Sequence, residues 1–148
     1  MKRNKQKIDW DNLGFNPLPT RSMWKGDCSA GDEWVEGQLI PYGEISLSPA
    51  SCVLNYGQGI FEGLKAYHTQ KDRIVLFRPN KNSARMQKST ERMCIPVMND
   101  QYFMDAVTST VKDNADFIPP FGKGSLYIRP ICFGVSKAIA VQAATEYV

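Results

Sequence analysis

The sequence is poor in the residues that build metal centres and acid–base catalytic sets. Its 148 residues include one histidine, His68, and four cysteines without any Cys-x-x-Cys pair. We therefore expect no zinc site of the usual Cys/His kind. A Ser-His-Asp or Cys-His set would have to use His68, which stands beside a turn-like polar segment. The cysteines are interpreted as small apolar fillers in a reducing compartment; they are Cys28, Cys52, Cys94 and Cys132.

Long apolar runs and a strong charge imbalance are also missing. No run of about 18 apolar residues exists, so we expect no membrane-spanning helix. The net charge of +3 is too small for a dedicated nucleic-acid-binding protein. Basic residues crowd only at the N-terminus, where no apolar segment follows them, so a secretory signal is not indicated. The prediction is a cytoplasmic protein, with a mitochondrial or plastid address as the alternative.

Composition and turn residues divide the chain into three parts. Residues 1–37 are rich in glycine, proline and tryptophan and are predicted to form an irregular arm with one short strand near Ser22–Lys25. Residues 38–135 are predicted to form a small α+β domain. Residues 136–148 are predicted to be an interdomain loop and the start of a second domain that the sequence does not complete.

Alternating and β-prone segments predict several short strands. Ile45–Ser48 alternates apolar and polar residues, and Leu64–Tyr67 with Ile74–Phe77 predicts a hairpin around a polar turn. Residues 125–135 return to a β pattern, with Pro130 indicating an edge or a bulge. The last residues, Thr145–Val148, are β-prone as well.

Two helices are predicted between these strands. The first is placed at Ser83–Met93, with Asn80 or Asn82 as its cap. The second starts after Asn99 or Asp100, and its apolar positions fall on one helical face. Strands, two helices and then strands predict a two-layer α+β fold, with a mostly antiparallel sheet and the two helices on one face.

Three side chains could bind anions. Arg78 follows an apolar strand and precedes a helix start, where a guanidinium and the helix dipole suit a phosphate. Tyr127 and Arg129 are two apart on a predicted strand, so they share a face and suit a small carboxylate. On spacing alone, a surface arginine and a chance pair are equally consistent with these positions. The glycine clusters Gly57–Gly63 and Gly122–Ser125 lack the spacing of phosphate-binding loops and are interpreted as turns.

Several blocks in register resemble the branched-chain-amino-acid aminotransferases, from about residue 10 to about residue 134. The resemblance is carried by the segments Leu54–Tyr67, Leu76–Pro79, Arg85–Met86, Glu91–Pro96 and Gly122–Pro130. It implies the N-terminal domain of a fold-type IV enzyme that depends on pyridoxal 5'-phosphate. Such enzymes exchange the amino group of leucine, isoleucine or valine with 2-oxoglutarate.

The resemblance also implies roles for individual residues. Arg78 would hold the cofactor phosphate, and Tyr127 with Arg129 would meet substrate carboxylates. Phe61 and Phe15 would line the apolar side-chain pocket, where burial of a branched alkyl group is worth about 1.5–3 kcal/mol.

A second group of residues is implied to serve a neighbouring subunit. Tyr56 resembles the tyrosine that reaches the partner's site, and Ile139 with Val141 matches the loop that closes over it. Here Ala140 stands where the family usually has glycine. The full-length form is therefore expected to be a homodimer.

No lysine of this chain matches the family's Schiff-base position, so we assign no catalytic residue. The lysines considered are Lys65, Lys88, Lys112, Lys123 and Lys137. In the family that lysine lies in a second, C-terminal domain. The chain is thus expected to be a fragment that is inactive alone. The alternative is a non-catalytic half that pairs with a full-length aminotransferase subunit.

Overall fold

The computed structural model describes residues 8–14 and 16–148. Three α-helices and nine short strands follow one another in these residues. In chain order they are β1 (Ser22–Lys25), β2 (Cys28–Ser29), β3 (Gln38–Pro41), α1 (Cys52–Tyr56), β4 (Gly59–Phe61), β5 (Leu64–His68), β6 (Ile74–Leu76), α2 (Pro79–Arg92), α3 (Asp100–Asp113), β7 (Leu126–Ile128), β8 (Ile131–Phe133) and β9 (Glu146–Tyr147).

All strand pairs are antiparallel, and they form four small sheets. The largest has the order β6-β5-β7, while β1 pairs with β3, β2 with β9, and β4 with β8. In the three-stranded sheet Ala66 lies opposite Leu76 on one side and Leu126 on the other. The predicted hairpin is confirmed. Pro130 lies between β7 and β8, because proline has no backbone N–H to donate to a strand pairing and so interrupts the strand.

The two long helices pack against one another over the sheets. Helix α3 buries Phe103, Val107 and Val111 on the face that the sequence predicted, and this face lies against β1, β3 and α2. Asn99 caps α3, because its side chain accepts the Tyr102 backbone N–H. The two-layer α+β fold class is confirmed.

The N-terminal arm and the last residues both pack on this core. Trp34 is buried and its indole N–H donates to the Pro96 carbonyl at 2.8 Å. Tyr147 is buried too, and its hydroxyl donates to the Cys94 carbonyl at 3.0 Å. The division at residues 37 and 135 stays a prediction, since the arm and the last residues share contacts with the central elements.

Three local predictions are wrong. Ile45–Ser48 forms no strand. The short apolar run Cys52–Leu54 begins helix α1, which is capped by Gly57 with φ of 67°. A run of three apolar residues does not distinguish strand from helix. Helix α2 starts earlier than predicted, and neither Asn80 nor Asn82 is its cap. Arg78 occupies the cap position in a left-handed conformation, followed by a proline whose fixed φ suits the first helical turn.

Three cysteines fit the apolar-filler interpretation and one does not. Cys28, Cys52 and Cys132 are buried, whereas Cys94 is exposed. Burial raises the pKa of the Cys132 thiol to about 12, so this thiol stays protonated at neutral pH. In the part of the chain that the structure describes, no helix has the length and apolarity to cross a membrane.

Asn114 connects the end of α3 to β1 and should contribute strongly to stability. Its side-chain oxygen accepts the backbone N–H groups of Arg21 and Ser22, and its amide donates to the Ser22 and Thr110 carbonyls. Asn114 is 1% exposed. We expect Asn114→Ala to lower the free energy of unfolding by about 3 kcal/mol, because it leaves buried polar groups unpaired. Urea denaturation at pH 7 measures this.

The matched control is Asn99→Ala at the other end of the same helix. Asn99 is exposed and its side chain accepts a single backbone N–H, so the loss should be about 1 kcal/mol. Equal losses for the two substitutions would contradict the assigned role of Asn114.

Candidate binding site

Tyr127, Arg129 and Phe61 form one exposed cluster at the start of β5. The Arg129 Nη2 donates to the Tyr127 hydroxyl at 2.8 Å. The same guanidinium lies 4.4 Å from the Phe61 ring centroid and 5.1 Å from the Tyr127 ring centroid, within the range of cation–π attraction. One hydrogen bond leaves most donors of Arg129 free, so the cluster can accept a carboxylate beside an aromatic ring.

The strand registers place this cluster beside β5. Tyr127 lies opposite Lys65, and Phe61 ends β4, the strand before the turn into β5. Gly63 occupies that turn, where an added Cβ would come within 2.2 Å of the Tyr127 hydroxyl. A glycine is therefore required at this position for the phenol to take its observed place.

Arg78 lies at the same end of the three-stranded sheet. The register of β5 with β6 pairs Ala66 with Leu76, so Arg78, two residues on, comes level with the start of β5. Tyr127 lies on the opposite flank of β5, and two strand spacings separate the edges by about 10 Å. The structure thus brings the predicted phosphate-binding and carboxylate-binding residues to one sheet end.

The backbone at Arg78 is unusual for a residue with a side chain. Its φ of 48° and ψ of 49° are left-handed, and Pro79 follows as the first residue of α2. This conformation costs about 1 kcal/mol or more for a non-glycine residue. The first turn of α2 carries no acidic residue, so the positive end of the helix dipole and the exposed Arg78 side chain form a cationic helix start that suits an anion.

Several apolar side chains on the three-stranded sheet and on strand β4 are exposed. Phe77 is 76% exposed and Phe61 64% exposed. Tyr67 and Val75 lie opposite one another on β5 and β6 and are also exposed. Neighbouring exposed apolar side chains of this size are typical of a surface that another domain or subunit covers.

The remaining predicted site residues do not join the cluster. Tyr56 ends α1 and is exposed, and it makes no hydrogen bond or ring contact with the cluster in the described part of the chain. Ile139 and Val141 lie in the loop before β9 and are among the most exposed apolar side chains. Phe15 lies outside the described residues. Their implied roles stay predictions.

Glu62 is a site residue that the sequence did not predict. Its carboxylate accepts the Arg85 Nε at 2.9 Å and the Arg85 Nη2 at 2.7 Å, and it also accepts the Asn82 amide at 2.9 Å. Asn82 donates as well to the Gly63 carbonyl, at 3.0 Å. The sequence signal for this interaction was a glutamate inside an apolar segment. A helix follows it, with an asparagine and an arginine three residues apart.

The pKa of Glu62 reflects two opposing effects. Burial raises the pKa of this carboxyl, but the hydrogen bonds from Arg85, Asn82 and the Gly63 N–H outweigh it. The pKa in the folded protein therefore lies below its ordinary value of 4.5. Among the described residues no group of three or more His, Cys, Asp or Glu side chains could hold a metal ion.

Glu62 should make stability depend on acidity in a defined window. A folded pKa below the unfolded value gives a stabilising contribution that is complete above about pH 4.5 and is lost as the pH falls through the lower, folded value. We expect the free energy of unfolding to fall with pH below 4.5 more steeply in the natural chain than in Glu62→Gln. Urea titrations of both proteins from about pH 7 to about pH 3 measure the difference. If the free energies of unfolding of the two proteins change in parallel with pH, the Glu62–Arg85 ion pair is not the source of the pH dependence.

The chain is similar in sequence to plant aminotransferases. No family model matches the chain. It is 51% identical over 140 residues to a chloroplastic branched-chain amino acid aminotransferase 2 of Humulus lupulus, covering 95% of this chain and 34% of that protein. It is 46% identical to branched-chain-amino-acid aminotransferase 6 of Arabidopsis thaliana, covering 39% of that protein. The chain thus spans little more than a third of these relatives.

Solved structures agree with the sequence relatives. A branched-chain aminotransferase of Thermoproteus uzoniensis with norvaline superposes with a TM-score of 0.59 at 25% identity, covering 86% of this chain and 40% of that one. The branched-chain amino acid aminotransferase of Escherichia coli gives a TM-score of 0.61 at 22% identity. The match covers 82% of this chain and 37% of the Escherichia coli chain. The latter likeness shows the fold. The chain is therefore similar in sequence to about a third of the branched-chain-amino-acid aminotransferases and has the fold of their N-terminal domain.

Proposed function

We propose that this chain supplies the carboxylate-binding and phosphate-binding half of a branched-chain-amino-acid aminotransferase site. The observation that carries the proposal is the placement of Arg78 and the Tyr127–Arg129 pair at one end of one sheet. The relatives that match the chain bear this enzyme's name. A cation for a phosphate and a cation for a carboxylate, beside an apolar surface, suit that reaction.

The start of α2 fits the phosphate of pyridoxal 5'-phosphate. Arg78 would bind the phosphate at the positive end of the α2 dipole, since the first helical turn carries no acidic side chain. A third solved branched-chain amino acid aminotransferase, 25% identical to this chain, is complexed with N-(5'-phosphopyridoxyl)-L-glutamate. When bound, the cofactor supplies an electron sink for the amino group exchange.

Tyr127, Arg129 and Phe61 would bind the substrates. The guanidinium and the phenol hold the carboxylate of leucine, isoleucine, valine or 2-oxoglutarate and thereby fix its orientation. Phe61 contacts the alkyl side chain and excludes water from it. Phe15 would add to this apolar wall.

A second subunit would complete the site. Tyr56, Ile139 and Val141 are exposed, which suits contacts with the partner in a homodimer of the longer form. Relatives are named as chloroplastic and as mitochondrial, so these organelles stand beside the cytoplasm as predicted compartments.

These 148 residues alone should not transaminate, since none of their lysines matches the Schiff-base position.

We expect a chimera in which residues 8–148 replace the matching third of the Humulus lupulus enzyme to transfer the amino group of leucine to 2-oxoglutarate. A coupled glutamate assay with added pyridoxal 5'-phosphate measures the rate. Turnover by the chain alone would refute the first expectation, and a folded but inactive chimera would favour the non-catalytic half.

Arg78→Ala in the chimera tests the phosphate role. Loss of a charge-assisted contact should raise the pyridoxal 5'-phosphate concentration for half-maximal activity about tenfold or more. Lys81→Ala is the matched control, because Lys81 is an exposed cation in the same helical turn. Equal effects of the two substitutions would show a general charge effect and contradict the specific role of Arg78.

A further inference from the structure

The turn between β4 and β5 is held from both sides. On the core side the Glu62 carboxylate is bound by Arg85 and Asn82 of helix α2. On the opposite strand the Glu62 backbone N–H donates to the Pro130 carbonyl at 2.9 Å. One residue therefore links α2 to the segment that directly follows Arg129.

The neighbours of Glu62 in sequence both contact the candidate site. Phe61 places its ring 4.4 Å from the Arg129 guanidinium. Gly63 lies against the Tyr127 hydroxyl, and its carbonyl is held by Asn82. Any movement of Glu62 therefore shifts the surfaces that Arg129 and Tyr127 rest on.

Few contacts other than the Phe61 ring restrain the Arg129 side chain. Among the described residues its side chain makes one hydrogen bond, to Tyr127, which is itself 49% exposed. An exposed pair of this kind loses its geometry easily, because long side chains gain rotamer freedom when released. The ring of Phe61 is the second contact that limits the guanidinium, and the position of that ring depends on the turn.

We propose that Glu62 is a positioning residue: by fixing the Phe61–Gly63 turn on helix α2, it sets the position of the Arg129 guanidinium and so the affinity of the site for a 2-oxo acid carboxylate. The inference rests on the proposed function for its ligand. The placement of Arg129 is independent of that function and can be measured without ligand.

The test uses the natural chain, Glu62→Gln and Arg85→Lys. The readout is the Nε–H signal of Arg129 in ¹H–¹⁵N spectra, identified by its loss in Arg129→Lys. The Phe61 ring current shifts this signal, and Phe61→Leu supplies the value without the ring. We expect Glu62→Gln to move the signal at least halfway towards the Phe61→Leu value. Arg85→Lys, which keeps Glu62 and its other partners, should move it in the same direction by less.

Titration with 4-methyl-2-oxopentanoate gives the second readout. The dissociation constant should rise about three- to tenfold in Glu62→Gln, as loss of a supporting charge-assisted contact would cause. Asn114→Ala is the control for stability alone: it removes another buried polar side chain far along the chain and should leave the Arg129 signal in place.

An unmoved Arg129 signal and an unchanged dissociation constant in both Glu62→Gln and Arg85→Lys would overturn the proposal. An equal movement in Asn114→Ala would do the same, because it would show a general loss of structure. A natural chain that binds no oxo acid refutes the proposed function by itself, and the ring-current comparison still decides the positioning role.

Discussion

The burial of one carboxylate constrains the turn beside Tyr127 and Arg129 in the candidate site. Glu62 is 7% exposed, and a buried carboxylate without partners costs several kcal/mol. Its donors come from helix α2 and from the adjacent Gly63 N–H. The turn and the helix can therefore separate only by leaving a charge unpaired. Because Phe61 and Gly63 flank this charge, the exposed aromatic ring and the space beneath Tyr127 take their positions from a buried interaction.

The charged groups of the candidate site have few partners among the described residues. Arg78 and Arg129 lie at one end of a sheet, and neither forms an ion pair among the described residues. The left-handed backbone at Arg78 adds local strain. Under the proposed function, an anionic ligand would pair these guanidinium groups and a covering surface would bury the exposed aromatic rings.

Local sequence signals predicted the elements whose partners are close in the chain. The hairpin around the polar turn, the buried face of α3 and the Asn99 cap depend on residues a few positions apart. The conformation of Arg78 was not predictable, because asparagines offered the usual cap chemistry and tertiary packing overrode it. Ile45–Ser48 has strand alternation without a neighbouring strand to pair with. Glu62 was missed because its partners lie about twenty residues away on a helix, and only the fold brings them together.

The contact between Phe61 and Arg129 bears on how one site would serve two kinds of substrate under the proposed function. A hydrophobic pocket alone discriminates alkyl side chains by only about 1–3 kcal/mol and gives a second carboxylate nothing to bind. A guanidinium stacked on a ring offers both an apolar face and charged edges at the same place. A branched side chain can lie on the ring, while the distal carboxylate of 2-oxoglutarate can reach N–H groups that the Tyr127 contact leaves free. Dual specificity would then depend on how firmly the ring and the guanidinium are held together, and this is the geometry that the turn at Glu62 controls.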